Sequence, residues 1–493
     1  MRFIHRLLVV CAVLTSLLAA RSPARGADEL QRLPETLELR LQSLEEEVRR
    51  LREESAAVSA REARYVADAE SPHDQFANWE TLGPPPGAPC DVPCDPAPPK
   101  YPTVKVTGFF HLDSVWFDQD PLNRATLNAS NPGQGDLQDG MDFRRARLAA
   151  TGNVDDWVSY MVEFDFATSQ PLFTDVWMNF SQLPILGNVR VGRFRQPFGM
   201  TELTSIRELP FLERPTLFCM SPFRQTGIGF YNHSCNERMT WAASAFRYPS
   251  DNFGNNAGDN GGWGGAARFT CLPYYECDGE RLVHLGFGAW YADPSHDETR
   301  FANTPEIQVI DRAGGLLPAA NFVVPFFVDT GVVPTQQVSS TNVELAGALG
   351  RVYFQSEWRW LTIDQIGGPT RNVEGAYAEC RYVLTGEKLP YNTATGVFGR
   401  IVPDCPVHPC GGGIGAWEVA ARWSWIDLNG PWLAVPPANP GPGRELTNVT
   451  LGANWYWNRY TKFQFNYIHA MLDDPAFGRS DADIWAVRGQ IDF

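Results

Sequence analysis

The stretch Asp483-Ile-Trp-Ala-Val-Arg-Gly-Gln-Ile-Asp-Phe493 decides the fold. In an extended strand, successive side chains point to opposite faces. Trp485, Val487, Gly489, Ile491 and Phe493 then share one face, and Ala486, Arg488, Gln490 and Asp492 share the other. An apolar face suits lipid, a polar face suits a water-filled lumen, and the chain stops on an aromatic residue. These are the demands on the closing strand of an outer-membrane barrel, which must also pair with the first strand so that no edge is left in the bilayer. A soluble edge strand alternates in the same way, so the rest of the chain has to decide.

From Thr103 onward, segments of period 2 recur, each bounded by Gly, Pro, Asn or Asp. They cover 103–117, 141–153, 157–166, 173–181, 187–196, 226–234, 237–248, 262–271, 282–292, 341–349, 351–362, 371–383, 414–427, 445–457, 460–472 and 483–493. An even count of sixteen lets both termini face the periplasm. Gaps after even strands are short, as at Val154–Asp156 and Asn458–Arg459, whereas 118–140, 197–225, 293–340 and 428–444 follow odd strands and are long. Short turns on one side and long loops on the other are expected of such a barrel. Two gaps on the turn side, 272–281 and 384–413, are too long, so either those turns are elaborated or the count slips there. Within strands the faces are clear: Trp417, Val419, Ala421, Trp423 and Trp425 oppose Glu418, Arg422 and Ser424. A soluble sandwich would seldom spend Trp and Phe so freely on one face.

Ahead of the strands, residues 1–27 read as a secretory signal, with Arg2 and Arg6 before an apolar core from Leu7 to Ala20. Residues 28–66 carry a 4-3 spacing through Leu37, Leu41, Leu44, Val48, Leu51, Ser55 and Val58. Leu41 and Val48 fit position a of a heptad and Leu44, Leu51 and Val58 fit d, which predicts a short periplasmic coiled coil. A single amphipathic helix packed on its own domain is the alternative. Barrels of this size are often trimeric, so a homotrimer stalk fits, although the a and d residues do not fix the number of chains. Residues 67–102 form a Pro-rich linker, and the barrel occupies 103–493.

The net charge is −16, and removal of the signal takes Arg2, Arg6, Arg21 and Arg25 with it, so the exported chain is more acidic still. That argues against nucleic-acid binding. It leaves an anion channel open, because the field inside a pore is local. The chain has 10 Cys. Cys90/Cys94, Cys271/Cys277 and Cys405/Cys410 lie close in sequence, and export makes loop disulfides plausible. A metal site is not indicated, since His408 is isolated. Glycine loops for phosphate, Gly-x-Ser-x-Gly and His-Glu-x-x-His do not occur, so neither an enzyme nor a cofactor is expected.

Several segments carry a family likeness: Phe143-Arg-Arg-Ala-Arg-Leu148; Val189-Arg-Val-Gly-Arg-Phe-Arg-Gln-Pro-Phe-Gly199 followed by Phe211-Leu-Glu-Arg-Pro215; Tyr382-Val-Leu-Thr-Gly-Glu387 with Tyr391; and Gly415-Ala-Trp-Glu-Val-Ala-Ala-Arg-Trp-Ser-Trp-Ile-Asp-Leu428 with Leu451-Gly-Ala-Asn-Trp-Tyr-Trp-Asn458 and Asn466-Tyr-Ile-His469. Taken in order over 103–493, they resemble the phosphate-selective porin O/P family of outer-membrane channels. The resemblance implies a sixteen-stranded, trimeric barrel, narrowed midway by an inward loop and lined with basic residues that draw in phosphate-type anions. One departure matters. The chain has only Lys100, Lys105, Lys388 and Lys462, so arginine must carry any anion site here.

Alternation turns Arg145 and Arg147 inward, because Ala146, Leu148 and Ala150 suit lipid; it turns Arg190 inward for the same reason, between Val189 and Val191. The loop 197–225 adds Arg207, Arg214 and Arg224. A guanidinium offers a planar fork of donors that matches oxyanions, so these six residues are the candidate pore lining. The bland alternative is that inward Glu163, Asp165 and Asp175 neutralise Arg145, Arg147 and Arg190 and leave a neutral wall. Phe211, Phe218 and Phe223 are expected to pack the loop rather than gate it. The expected function is passive diffusion of small anions, phosphate or polyphosphate included, across the outer membrane. A general or cation-preferring porin, or a barrel that tethers the envelope by a stalk on peptidoglycan, are the alternatives.

Overall fold

A computed structural model describes residues 101–493 except 131, 168–170, 310–323, 409–410 and 434–440. The signal, the stalk, the linker up to residue 100 and Cys90, Cys94 and Cys410 lie outside the described residues. No helix among the described residues is long and apolar enough to cross a membrane; the chain crosses with strands instead.

Sixteen antiparallel strands close into a barrel: β1 Lys105–Gln119, β2 Gly140–Asp155, β3 Val158–Asp165, β4 Leu172–Leu183, β5 Gly187–Arg195, β6 Arg224–His233, β7 Met239–Arg247, β8 Trp263–Glu276, β9 Arg281–Asp293, β10 Val333–Leu349, β11 Val352–Gln365, β12 Arg371–Val383, β13 Ala416–Asp427, β14 Glu445–Tyr456, β15 Thr461–Asp474 and β16 Gly478–Asp492. Every segment read from the period-2 pattern is a strand. A two-residue strand, Glu298–Thr299, extends the pairing at the start of β10.

β16 behaves as its alternation requires. Trp485 and Ile491 are 44% and 41% exposed on the outer face, whereas Arg488 and Gln490 are 0% and 1% exposed on the inner one. Its partner across the seam is β1, in register from Phe109 opposite Asp492 to Gln119 opposite Ala482. The last residue completes the closure: Gly108 donates its N–H to the Phe493 carbonyl at 2.9 Å, and Phe493 donates back to the Gly108 carbonyl at 2.9 Å. A closed ladder leaves no unpaired strand edge facing lipid.

Residue 108 has to be glycine for this seam to shut. A Cβ there would sit 2.5 Å from the Arg147 carbonyl oxygen and 2.5 Å from the Phe493 ring. Gly108→Val is expected to cost about 1–3 kcal/mol by overpacking. The temperature at which the folded barrel is lost in detergent should fall by several degrees; an unchanged temperature would contradict the seam geometry.

The two overlong turns resolve differently. β8 runs on to Glu276, past a register shift between Cys271 and Tyr274 that accommodates Pro273, so the turn is only 277–280. That stretch corrects the expected Cys271/Cys277 bridge. At about 3.3 Å per residue the two cysteines stand well over the ~7 Å Cα limit apart, and Cys271, Cys277 and Cys405 are all free thiols. The segment 384–408, by contrast, is a real elaboration folded into the turn-side mouth. Its short ribbon Tyr391–Asn392/Val397–Phe398 is held there by Arg268, which donates to the carbonyls of Thr395 (2.8 Å) and Gly396 (2.9 Å). Leu389, Tyr391, Phe398 and Ile401 pack with Leu272, Leu282 and Tyr353 of the wall.

The opposite mouth is filled as well. Leu127 of helix α1 (Pro121–Ser130), Phe301, Ile307, Phe327 and Trp432 meet inward Ile426, Leu446, Ile468 and Ile484 in one buried apolar cluster. Ile426 and Leu446 lie at the loop ends of their strands, and Ile468 and Ile484 face each other deeper in the wall.

Candidate functional site: an arginine cavity beside the inward loop

The segment 196–223, between β5 and β6, runs inside the barrel and is fixed to walls on several sides. Thr201 donates its N–H to Glu357 at 2.8 Å, and Glu202 pairs with Arg359 at 2.7 Å, both on β11. Arg359 is itself fully buried and donates to Asn342, Glu202 and Glu357. Asn454 donates to the Pro210 carbonyl at 2.8 Å, Lys462 to the Arg207 carbonyl at 2.8 Å, and Arg488 to the Leu212 carbonyl at 2.5 Å. The loop approaches β9 so closely that a Cβ on Gly288 would lie 1.8 Å from the Phe198 carbonyl oxygen. Charged side chains of the wall thus grip the loop backbone, and the lumen is narrowed where water is scarce.

Beside the loop lies a cavity of about 620 Å³. Arg144, Arg145, Arg147, Arg193, Arg195, Arg214, Arg224 and Arg300 line it, against the carboxylates of Asp165, Glu213 and Glu306. Four of the six arginines read from the sequence, Arg145, Arg147, Arg214 and Arg224, are brought together here. The other two are elsewhere. Arg190 lies over the rings of Trp177 (4.1 Å) and Tyr231 (5.4 Å), and Arg207 lies over Phe109 at 5.1 Å.

Neutralisation is partial and follows a different pairing from the one alternation suggests. Arg147 pairs with Asp165 at 2.9 Å and Glu163 at 3.4 Å. Asp175 pairs not with Arg190 but with Arg224, at 2.6 Å. Arg145 takes Glu213 of the loop at 2.7 Å, and Arg144 and Arg488 share that same carboxylate at 3.0 and 3.2 Å. Burial alone would raise the Glu213 carboxyl, but Arg144, Arg145 and Arg488 hold it well below the usual carboxylate range. Arg422 and Ser424 engage Glu306, and Thr450 donates to it at 3.0 Å.

Arg193 and Arg214 have no carboxylate partner among the described residues. Arg193 donates Nε to the Phe173 carbonyl at 3.1 Å, and its buried Nη1 has no hydrogen-bond partner among the described residues. Arg214 donates to the carbonyls of Thr201 (2.7 Å) and Thr204 (2.8 Å) and lies over Phe218 and Phe223. Burial first, and then Arg195, Arg145 and Arg224, pull the Arg214 guanidinium well below its usual range, as a cluster with too few anions must. Neither Lys388, paired with Asp278 at 2.7 Å, nor Lys462, buried under the loop, lines this cavity.

Arg144, Arg193, Arg195 and Arg300 were missed by the alternation. Arg144 is missed because the β1–β2 register jumps from His111 opposite Arg145 to Leu112 opposite Phe143. One residue is therefore bulged out of the ladder, and Arg144 reaches Glu213 alongside its neighbour. Arg193 and Arg195 follow Gly192, whose φ of 131° lies in the range glycine tolerates. Arg300 sits in a long loop without periodicity.

Against this geometry, a family model described as phosphate-selective porin O and P matches residues 123–493. The chain belongs to that family. It is therefore an outer-membrane channel. Porin O of Pseudomonas aeruginosa is 25% identical over 369 residues, covering 71% of this chain and 81% of that one. An uncharacterized protein of Caulobacter vibrioides is 25% identical over 302 residues, 59% of this chain, and the match spans 56% of its own length. Among solved structures, an anion-selective porin from Comamonas acidovorans has a TM-score of 0.46 at 11% identity, covering 79% of this chain and 99% of that one. The outer-membrane channel DcaP of Acinetobacter baumannii has a TM-score of 0.47 at 8% identity, covering 79% and 97%.

Proposed function

We propose that the channel carries small anions by passive diffusion, with phosphate-type oxyanions among them, and that the arginine cavity beside the inward loop is where anions are drawn in. The observation that carries this reading is the imbalance of the cavity: of its eight arginines, Arg147, Arg224 and Arg300 are offset by Asp165, Asp175 and Asp329, whereas Arg193 and Arg214 are held by backbone carbonyls rather than by counter-charges. An unneutralised guanidinium in a narrow, low-dielectric passage attracts anions and repels cations, and its planar fork fits an oxyanion. The acidity of the whole chain does not oppose this, because the field that a passing ion meets is set by the charges close to it in the passage. The 4-3 pattern of 28–66 supports a periplasmic coiled-coil stalk, and a homotrimer is the assembly that the family resemblance implies for it.

The test is phosphate added to a chloride current through the purified full-length protein in a planar bilayer. Phosphate is expected to reduce the current in a saturable way, and Arg214→Gln is expected to raise the half-blocking concentration about ten-fold, the loss of one charge-assisted contact of ~1.5 kcal/mol. A current indifferent to phosphate would sink the phosphate part of the reading.

A further inference from the structure

The cavity holds more aromatic surface than an inorganic anion can use. Phe173, Phe218, Phe223 and Phe326 line the same space as Arg193 and Arg214. Phe218 and Phe223 meet edge to face with centroids 4.8 Å apart, and Arg214 lies over them at 5.0 and 5.3 Å. Arg300 lies over Phe326 at 5.1 Å, and that ring is 37% exposed. Phe223 holds a φ of 43°, in the left-handed region that a bulky residue enters only at a cost of ~1 kcal/mol or more. The loop was expected to use Phe211, Phe218 and Phe223 alike as packing. Phe211 does so, buried under Arg422 at 4.3 Å. Phe218 and Phe223 are only half-buried and form cavity wall.

A tetrahedral oxyanion gains little from rings, whereas a flat arene gains edge-to-face contact with them and stacks under a guanidinium. The volume of about 620 Å³ also falls within the ~300–1,000 Å³ of small-molecule sites. Arg193 also lines this space, its Nε donated to the Phe173 carbonyl at 3.1 Å and its charge met by no carboxylate among the described residues.

We propose that the cavity is a binding site for planar aromatic carboxylates, with the carboxylate on the Arg193 and Arg214 side and the ring against Phe218 and Phe223. This rests on the anion-channel reading and narrows it to a class of organic solute.

The probes are benzoate and cyclohexanecarboxylate, which share a charge and a carbon count but differ in planarity and π-surface. Each is titrated against the chloride current of the full-length protein in a planar bilayer, with the reversal potential recorded in the same membrane. Benzoate is expected to block at a concentration about three- to ten-fold lower than cyclohexanecarboxylate, the range of an aromatic contact. Phe223→Leu, and separately Phe218→Leu, should close that gap. Equal block by the two probes, or no block by either, in an anion-selective channel overturns the aromatic site and leaves the anion reading standing. A gap that survives in both variants also overturns the assignment to these rings. A cation-selective reversal potential overturns the anion reading itself.

Discussion

Arg359→Met is expected to release the inward loop and raise the single-channel conductance at least about two-fold, because the constriction sets the current. Arg359 is fully buried and ties Glu202 on the loop to Glu357 on β11, with Asn342 as a third partner and the Leu217 carbonyl as a fourth. Removing it strands two carboxylates in a dry interior, a loss of about 3–5 kcal/mol. The loop can escape that cost only by moving Glu202 toward water. Replacing the whole cluster, with Arg359→Met beside Glu202→Gln and Glu357→Gln, should recover most of the stability, since a fully neutral cluster leaves no buried charge. A single variant with wild-type conductance and wild-type thermal resistance would show that the loop is held by its other contacts alone.

The second large effect belongs to Arg193 and Arg214. A unit charge about 8 Å from a passing ion contributes about 2 kcal/mol at an effective dielectric of ~20, and salt reduces that further. Arg193→Gln together with Arg214→Gln should therefore lower the anion-to-cation permeability ratio about ten-fold. These two are chosen because their charges are not offset by a carboxylate among the described residues, unlike Arg147 and Arg224. A double variant that keeps the parent's permeability ratio would place selectivity outside this cavity.

The strand pattern was legible because lipid and lumen impose opposite chemistries on alternate residues. Wherever that holds, as from Trp485 to Phe493, every side chain is on the face its type requires. What alternation cannot carry is a break in itself. The bulge at Arg144 moves an arginine across the pattern, and nothing in the neighbouring residues announces it. The partners were equally hidden. Glu213 lies some 68 residues from Arg145 and 275 from Arg488, so the carboxylate that neutralises the β2 pair comes from a loop whose path the sequence does not give. The loop grip was hidden for the same reason, since Arg359, Asn454 and Lys462 read as ordinary lumen residues until the backbone they bind is placed beside them. Aromatic rings over arginines fall in the same class: Phe218 and Phe223 look like packing until Arg214 is seen across them.

The most direct test is the reversal potential of the full-length protein in a planar bilayer under a KCl gradient. An anion channel gives a potential of the sign set by chloride, and that selectivity weakens in the Arg193→Gln, Arg214→Gln variant. A potential set by potassium, unaltered by those substitutions, would contradict the arginine cavity as the selective element and leave a cation-preferring porin on the same barrel.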